Sequence, residues 1–435
     1  MAAGYYFSGR ADEIAHFELF IRGGGPNRIH ARNYYVYAGL EAALDFIRGW
    51  GFSDDDVRYL KNLPALSHLD DSFFSLLRGL EFTGDVFSFP EGSVVFPDEP
   101  ILRVRAPIIQ AQLLETALLA IVNHQTTIAT KAARVAHAAR GRAVAEFGAR
   151  RAHGLGAAEW GARAAYIGGC ASTSNCAAGR RFGIPVVGTL AHSWIMSFES
   201  EQEAFEAYAG VFPDGIVLLI DTYDTLEGAK LAAGFGAKLK GVRLDSGDIA
   251  ALSKEVRGIL DAGGAKQAII FASGDLNEDK ISSLIEGGAP VDAFGVGTDL
   301  ITSRDLPALG GVYKLVALEN PLTGEMEYKR KLSRDKATLP GPKQVGRSTD
   351  ADGFYAADLL LLYGEEPPQG YAPQHVKVLE NGRALLEPPV TAEVRERAMG
   401  ELAKLPPRLH ERSAQPYPVE MGAALARLVA DGVGC

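Results

Sequence analysis

From Ala143 to about Leu318 the chain repeatedly sets a short apolar, β-branched run before a helical pattern. Val217 to Ile220 precedes Thr225 to Gly234, Gly241 to Leu244 precedes Ile249 to Ala262, Ala268 to Phe271 precedes Glu278 to Glu286, and Val291 to Val296 follows. Repeats of roughly 25 residues are what successive βα units require, so the pattern favours a parallel sheet or barrel. Gly263-Gly264 and Gly287-Gly288-Ala289-Pro290 fall where two of the helices should stop.

Most of the apolar runs end in a polar tip. The tips are Glu146-Phe147-Gly148-Ala149-Arg150-Arg151, Gly188-Thr189-Leu190-Ala191-His192-Ser193, Asp221-Thr222-Tyr223-Asp224, Arg243-Leu244-Asp245-Ser246-Gly247-Asp248, Ala272-Ser273-Gly274-Asp275 and Gly295-Val296-Gly297-Thr298. A parallel barrel gathers such strand ends on one rim, where its chemistry lies. Carboxylates, arginines, one histidine and two glycine-rich turns on that rim suit a phosphate substrate with magnesium.

The flanking segments read differently. Glu41 to Gly49 and Ser72 to Leu80 have helical periodicity, and Phe82 to Val95 reads as short antiparallel strands. Pro107 to Ala139 reads as the longest helical stretch, and its nearly continuous apolar segment Ala117 to Val122 marks it as a buried helix. Beyond Glu319 short strands and turns are expected to return to the N-terminal domain, followed by a helix from about Thr391 to Lys404. Gly370 to Pro373 and Ser413 to Pro418 read as surface loops. The expected division is residues 1–100 for the N-terminal part of a smaller α+β domain, 101–330 for a barrel, and 331–435 for the segment completing the smaller domain.

A net charge of −10 leaves no basic excess to neutralise a nucleic-acid backbone, although Arg150-Arg151 and Arg180-Arg181 could hold a small phosphorylated ligand. Cys170, Cys176 and Cys435 form neither a disulfide framework nor a zinc motif, which suits a reducing cytoplasm. No apolar run reaches the length of a membrane span. The chain has no Gly-x-x-x-x-Gly-Lys-Ser/Thr, and no Gly-x-Gly-x-x-Gly in a Rossmann context, which disfavours a P-loop NTPase and a nicotinamide dehydrogenase.

Each tip admits a structural and a chemical role. Asp221, Asp245 and Asp275 either cap the helix that follows or hold a magnesium ion together with substrate phosphate oxygens. Ser273-Gly274-Asp275 and Gly297-Thr298 can present backbone N–H groups to a phosphate. His192 can act as a base or be phosphorylated as a nucleophile, or can be an ordinary surface residue. Arg150, Arg151 and Arg243 can grip a carboxylate or phosphate, and Phe147 offers an aromatic face to a flat ring; a core Phe beside a solvated Arg pair is the alternative.

Taken together these motifs, with Thr173-Ser174-Asn175 and Lys331-Leu332-Ser333, resemble the nicotinate phosphoribosyltransferase family of NAD salvage, densely from Gly4 to about Arg347. The resemblance implies an irregular α/β barrel with a smaller α+β domain formed from N- and C-terminal segments, and a homodimer with active sites at the subunit interface. It implies that nicotinate and phosphoribosyl pyrophosphate give nicotinate mononucleotide and pyrophosphate, coupled to hydrolysis of ATP as co-substrate. It assigns His192, Asp245 and Arg243 to catalysis, with His192 phosphorylated, and Asp221 and Asp245 to Mg2+. Phe147, Arg150, Arg151, Thr189, Ser246, Ser273, Gly274, Asp275, Gly297 and Thr298 match substrate contacts.

The neutral Thr173-Ser174-Asn175 stands where the related nicotinamide enzyme carries an Asp, which favours a carboxylate substrate. Members of the family usually begin with Thr-Asp-Leu-Tyr-Gln-Leu-Thr-Met, whose Tyr reaches the partner's pyridine site; here Met1 falls at that segment's last position. The alternatives are therefore a nicotinamide or quinolinate phosphoribosyltransferase, or an N-terminally truncated inactive paralogue.

Overall fold

The computed structural model describes residues 1–22, 32–320, 322–333, 336–385, 387, 389–411 and 415–433. It divides the chain into two compact units, one of residues 1–126, 308–389 and 400–435, the other of residues 127–307 and 390–399.

The second unit is the βα repeat. Six parallel strands lie in the spatial order Ser172–Thr173, Ala143–Glu146, Ala293–Val296, Ile269–Ala272, Leu239–Leu244, Ile216–Leu219. A parallel bridge from Thr173 to Val186 extends one edge. The sheet is a curled, open half-barrel, and with its helices it forms the irregular α/β barrel expected. Its strands are short and almost wholly apolar because helices cover them; Val242, Leu244, Ile270, Ala272, Phe294 and Val296 are fully buried.

The helices begin at side-chain caps written into the sequence. Asn175, Ser200, Asp224, Asp248 and Asn277 each accept a backbone N–H in the first turn of the helix that follows. Gly263 and Gly287 end two of those helices, at the positions expected.

The first unit is built on an antiparallel sheet in the order Met326–Tyr328, Gly311–Glu319, Ile14–Ile21, Leu102–Pro107, Asp85–Ser88, Val376–Glu380, Arg383–Ala384. Residues 101–126 and 308–330 fall in this unit because Leu102–Pro107 and Gly311–Glu319 flank Ile14–Ile21 as ladder partners. Of the C-terminal stretch, 390–399 falls in the other unit, where Arg395 donates to the Gly169 carbonyl.

A second sheet holds Lys343–Thr349 between Tyr355–Leu362 and Tyr371–Pro373. Tyr371 to Pro373 is thus a strand and not a loop: Gly346 to Ser348 supply ladder partners that a Gly/Pro-rich sequence does not announce. Ser413 and Ala414 lie outside the described residues, as does Cys435.

The long helix also differs from expectation. It runs as Ile108–Leu113 and Glu115–Ala138, and its continuously buried stretch is residues 125–133, downstream of Ala117 to Val122. Gln125, Thr126, Thr127, Thr130 and Lys131 go inside there. Polar groups can be buried where partners meet them: Thr127 Oγ1 donates to the Leu306 carbonyl, and Lys131 meets three carboxylates.

Candidate active site

The strand ends of the barrel open onto a cavity of about 510 Å³. Its lining includes Phe147, Arg150, Arg151, Thr189, Arg243, Asp245, Ser273, Gly274, Asp275, Gly297 and Thr298, eleven of the residues singled out from sequence. Three arginines and two aspartates give the wall a mixed, slightly cationic character suited to an anion.

Arg243 organises the centre. Its Nε donates to Ser273 Oγ at 2.8 Å, Nη1 to Thr189 Oγ1 at 2.8 Å, and Nη2 to Asp245 Oδ1 at 2.6 Å. Ser273 Oγ also donates to Asp245 Oδ1, at 2.6 Å. One guanidinium fork thereby locks residues from three strand ends. Five N–H donors exceed these bonds, so Nη2 keeps a second N–H for a ligand. Arg243 Cζ lies 5.8 Å from the centre of the Phe147 ring, which in turn tilts against Phe271 at 5.5 Å.

Burial pushes the Asp245 carboxyl upward, but the Ser273 hydroxyl, the Arg243 charge and His192 outweigh it and hold the group below the usual carboxylate range. Asp245 is therefore an anion at neutral pH. Its neighbour Asp221 is buried, and Asp221 Oδ2 accepts from Asp245 N at 2.9 Å and from Ser246 Oγ at 2.6 Å. The other oxygen, Oδ1, is buried without a hydrogen-bond partner.

His192 opens a short helix, and its ring is 41 % exposed. Nδ1 sits 3.1 Å from Thr222 Oγ1, and Nε2 3.7 Å from Asp245 Oδ2. His192, Asp221 and Ser246 thus border the lining through Asp245 and do not form part of it.

The structure sorts the aspartates. Asp224 and Asp248 cap helices. Asp221 and Asp245 cap none: Asp221 accepts from Asp245 N and Ser246 Oγ on the next strand end, and Asp245 takes Arg243 and Ser273. It also separates the arginine pairs. Arg150 and Arg151 line the cavity, while Arg181 lies over the Trp160 ring at 4.4 Å, and neither it nor Arg180 is in the lining.

Two glycines are required by space. A Cβ on Gly274, whose φ is +91°, would overlap the Asp245 carbonyl. One on Gly295 would meet the rings of Phe271 and Phe147 at 2.8 and 2.9 Å. Of Thr173-Ser174-Asn175, only Ser174 lines the cavity; Thr173 Oγ1 donates to Glu146 and Asn175 caps a helix.

Sequence reasoning gave no role to Glu146 or Glu201. Glu146 is fully buried and accepts from Thr173 Oγ1 at 2.6 Å and from Gly148 N, so it shapes the turn that presents Phe147. Burial, then Asp221 and Asp224, push the Glu201 carboxyl up to about 7. A carboxylate closing a short apolar strand was the available signal for Glu146; Glu201, in an ordinary helix start, gave none.

Two family models match the chain. Residues 1–123 match the nicotinate phosphoribosyltransferase (NAPRTase) N-terminal domain, and 143–320 match the nicotinate phosphoribosyltransferase (NAPRTase) family. The chain belongs to the nicotinate phosphoribosyltransferase family. Among similar members, the nicotinate phosphoribosyltransferase of Bacillus subtilis (strain 168) is 46 % identical over 84 % of this chain and 75 % of its own length. One from Mycobacterium tuberculosis is 42 % identical over 97 % of this chain and 90 % of its own. The crystal structure of human nicotinic acid phosphoribosyltransferase superposes with a TM-score of 0.86 at 30 % identity, covering 99 % of this chain and 98 % of that one. Membership places the protein among the phosphoribosyltransferases of NAD biosynthesis. Among the described residues no helix is long and apolar enough to cross a membrane.

Proposed function

We propose that this chain joins nicotinate to the ribosyl group of phosphoribosyl pyrophosphate, giving nicotinate mononucleotide and pyrophosphate, with ATP hydrolysis coupled to the transfer. The observation that most supports this reading is Arg243, fastened by Ser273, Thr189 and Asp245 beside the Phe147 ring with an N–H still free. A flat ring on Phe147 would bring its carboxylate to that guanidinium, and no acidic side chain of 173–175 opposes it.

The pyridine nitrogen lone pair forms the bond to the anomeric carbon, and the bond from that carbon to pyrophosphate breaks, its electron pair leaving with the oxygen. Nitrogen is already nucleophilic, so holding ring and ribose in line matters more than moving a proton. Positive charge grows on the ribose as it transfers. The Asp245 anion would oppose that charge, and Arg150 and Arg151, which line the same cavity, would take the anionic groups. The Gly274 and Gly297-Thr298 turns offer their backbone N–H groups to the 5′-phosphate.

Magnesium fits the donors present. Asp221 Oδ1 is a buried oxygen without a hydrogen-bond partner, and Asp221 Oδ2 accepts from the backbone N–H of Asp245, whose carboxyl is an anion. A few carboxylates completed by substrate phosphate oxygens are a donor set that suits magnesium. When bound it would neutralise charge on the departing pyrophosphate.

His192 is the residue we assign to phosphorylation by ATP: Nδ1 faces Thr222, leaving Nε2 as the nucleophile on the Asp245 side. The same reading takes the enzyme as a cytoplasmic homodimer acting on small molecules, with the active site at the subunit interface.

The test is a product assay with phosphoribosyl pyrophosphate and magnesium, supplying nicotinate, nicotinamide or quinolinate in turn, each with and without ATP. Nicotinate mononucleotide formed fastest in the presence of ATP is the expected result. No product from any pyridine would overturn the catalytic reading.

A further inference from the structure

One buried cation stands behind both glycine turns of the cavity. Lys131, in the buried stretch of the helix Glu115–Ala138, is 1 % exposed. Its Nζ meets Glu278 Oε2 at 2.6 Å, Asp299 Oδ1 at 2.7 Å and Asp305 Oδ1 at 2.9 Å. One turn further along the same helix, Arg134 Nε reaches Glu278 Oε1 at 3.1 Å.

The origin of the three acids is what matters. Glu278 opens the helix that follows Ser273-Gly274-Asp275. Asp299 lies in the first turn of the helix that follows Gly295-Val296-Gly297, and Asp305 comes just after that helix. Gly274 and Asp275 both have positive φ; glycine adopts it freely, whereas Asp275 takes a conformation that a non-glycine residue seldom does, so its surroundings help to hold the bend. A phosphate held by N–H groups from two turns needs both at hydrogen-bond distance together, and the ammonium ties the helices leading from both.

We propose that Lys131 is a positioning residue for the phosphate end of the site, setting the spacing of the Gly274-Asp275 and Gly297-Thr298 turns. The inference rests on the reading of those turns as the 5′-phosphate cup. Stability alone does not call for such a cluster, because a buried ion pair can often be replaced by apolar packing without loss. What an apolar replacement would not supply is one point of attachment shared by Glu278 and Asp299.

Two variants test it, Lys131→Met and Asp299→Asn. Lys131→Met removes the cation shared by the three carboxylates, leaving Arg134 to Glu278, and can fail to fold. Asp299→Asn is milder: Lys131 and Arg134 then face Glu278 and Asp305, two cations against two anions. Thermal melts first establish that each variant is folded. KM is then measured for phosphoribosyl pyrophosphate and for nicotinate, together with the calorimetric Kd for ribose 5-phosphate.

The expected result is a rise of about ten- to a hundredfold in KM for phosphoribosyl pyrophosphate and in Kd for ribose 5-phosphate, as sub-ångström misplacement produces, while KM for nicotinate moves by less than about twofold. A folded Asp299→Asn protein in which all three constants are unchanged, or in which both KM values rise together, overturns the inference. If the parent chain turns over no pyridine yet binds ribose 5-phosphate, the proposed activity fails and the Kd comparison alone decides the role of Lys131. If the parent binds neither phosphate compound, there is no cup to position and the inference falls.

Discussion

Arg243 and Asp245 are two residues apart at one strand end, with Nη2 2.6 Å from Oδ1, and Ser273 Oγ from the next strand bonds to both. Side chains two apart on a strand share a face, so the strand itself aims this pair at the cavity. Ser273 then fixes the angle between them.

Replacing Arg243 by Lys should therefore damage function while leaving the fold intact. A lysine ammonium is a point charge and cannot span Ser273, Thr189 and Asp245 in one plane. We expect kcat/KM for nicotinate to fall by about a hundredfold, roughly 3 kcal/mol of lost transition-state stabilisation. Steady-state kinetics at saturating phosphoribosyl pyrophosphate check this; a change within experimental error would remove Arg243 from the pyridine site.

Ser174 lines the cavity, whereas Thr173 and Asn175 are engaged elsewhere. Ser174→Asp should place a carboxylate against the nicotinate carboxylate and offer an acceptor to a carboxamide. The ratio of kcat/KM for nicotinate over nicotinamide should drop by about tenfold or more. Competition between the two pyridines in a single assay measures the ratio directly.

His192→Ala should abolish stimulation by ATP and leave the ATP-independent rate within about threefold of the parent. Transfer of label from γ-phosphate-labelled ATP to the protein gives a second readout. Full stimulation in the variant would end the coupling role.

Asp221→Asn keeps an acceptor for Asp245 N and Ser246 Oγ but removes the charge from the unpartnered oxygen. The magnesium concentration giving half-maximal rate should rise by about tenfold. An unchanged magnesium titration would move the metal away from this carboxylate.

The first unit carries a pH dependence of its own. His375 is partly buried; Val345 N donates to its Nδ1 at 3.3 Å, and its Nε2 donates to the Pro100 carbonyl. Burial lowers its pKa to about 4, against the Pro100 bond that raises it, while Arg103 adds to the lowering. The folded state thus refuses a proton that the unfolded chain accepts near pH 6.5. Between those values the unfolded state binds more protons, so stability falls as pH falls, by about 1.4 kcal/mol per pH unit per group. His16, lowered to about 4 chiefly by burial, acts in the same direction. Denaturant midpoints measured from pH 7 to pH 4 should decline, and more gently in His375→Gln; an equal slope in the variant would rule the histidine out.

Much of the barrel was legible because its signals are local. A β-branched run, a capping residue and a closing glycine lie within a few residues of the structure they specify, as in Ile216–Leu219, Asp224 and Thr225–Ala233. Tyr371–Pro373 was not legible, because its strand character comes from Gly346 to Ser348. Lys131 was hidden in an alanine-rich helix for the same reason: its three carboxylates come from distant turns.

By itself the sequence determined the alternation of strands and helices, the position of each polar tip, and the presence of a ring, arginines and carboxylates on one rim. Only the tertiary structure decided which aspartates cap helices and which bond to a neighbouring strand end, that Ser174 alone of its segment reaches the cavity, and that Arg243 is fastened on three sides. The division is physical. Propensity and capping act over one or two turns of chain, whereas ion pairing and hydrogen bonding depend on distance in space, which is set only once the strands have paired.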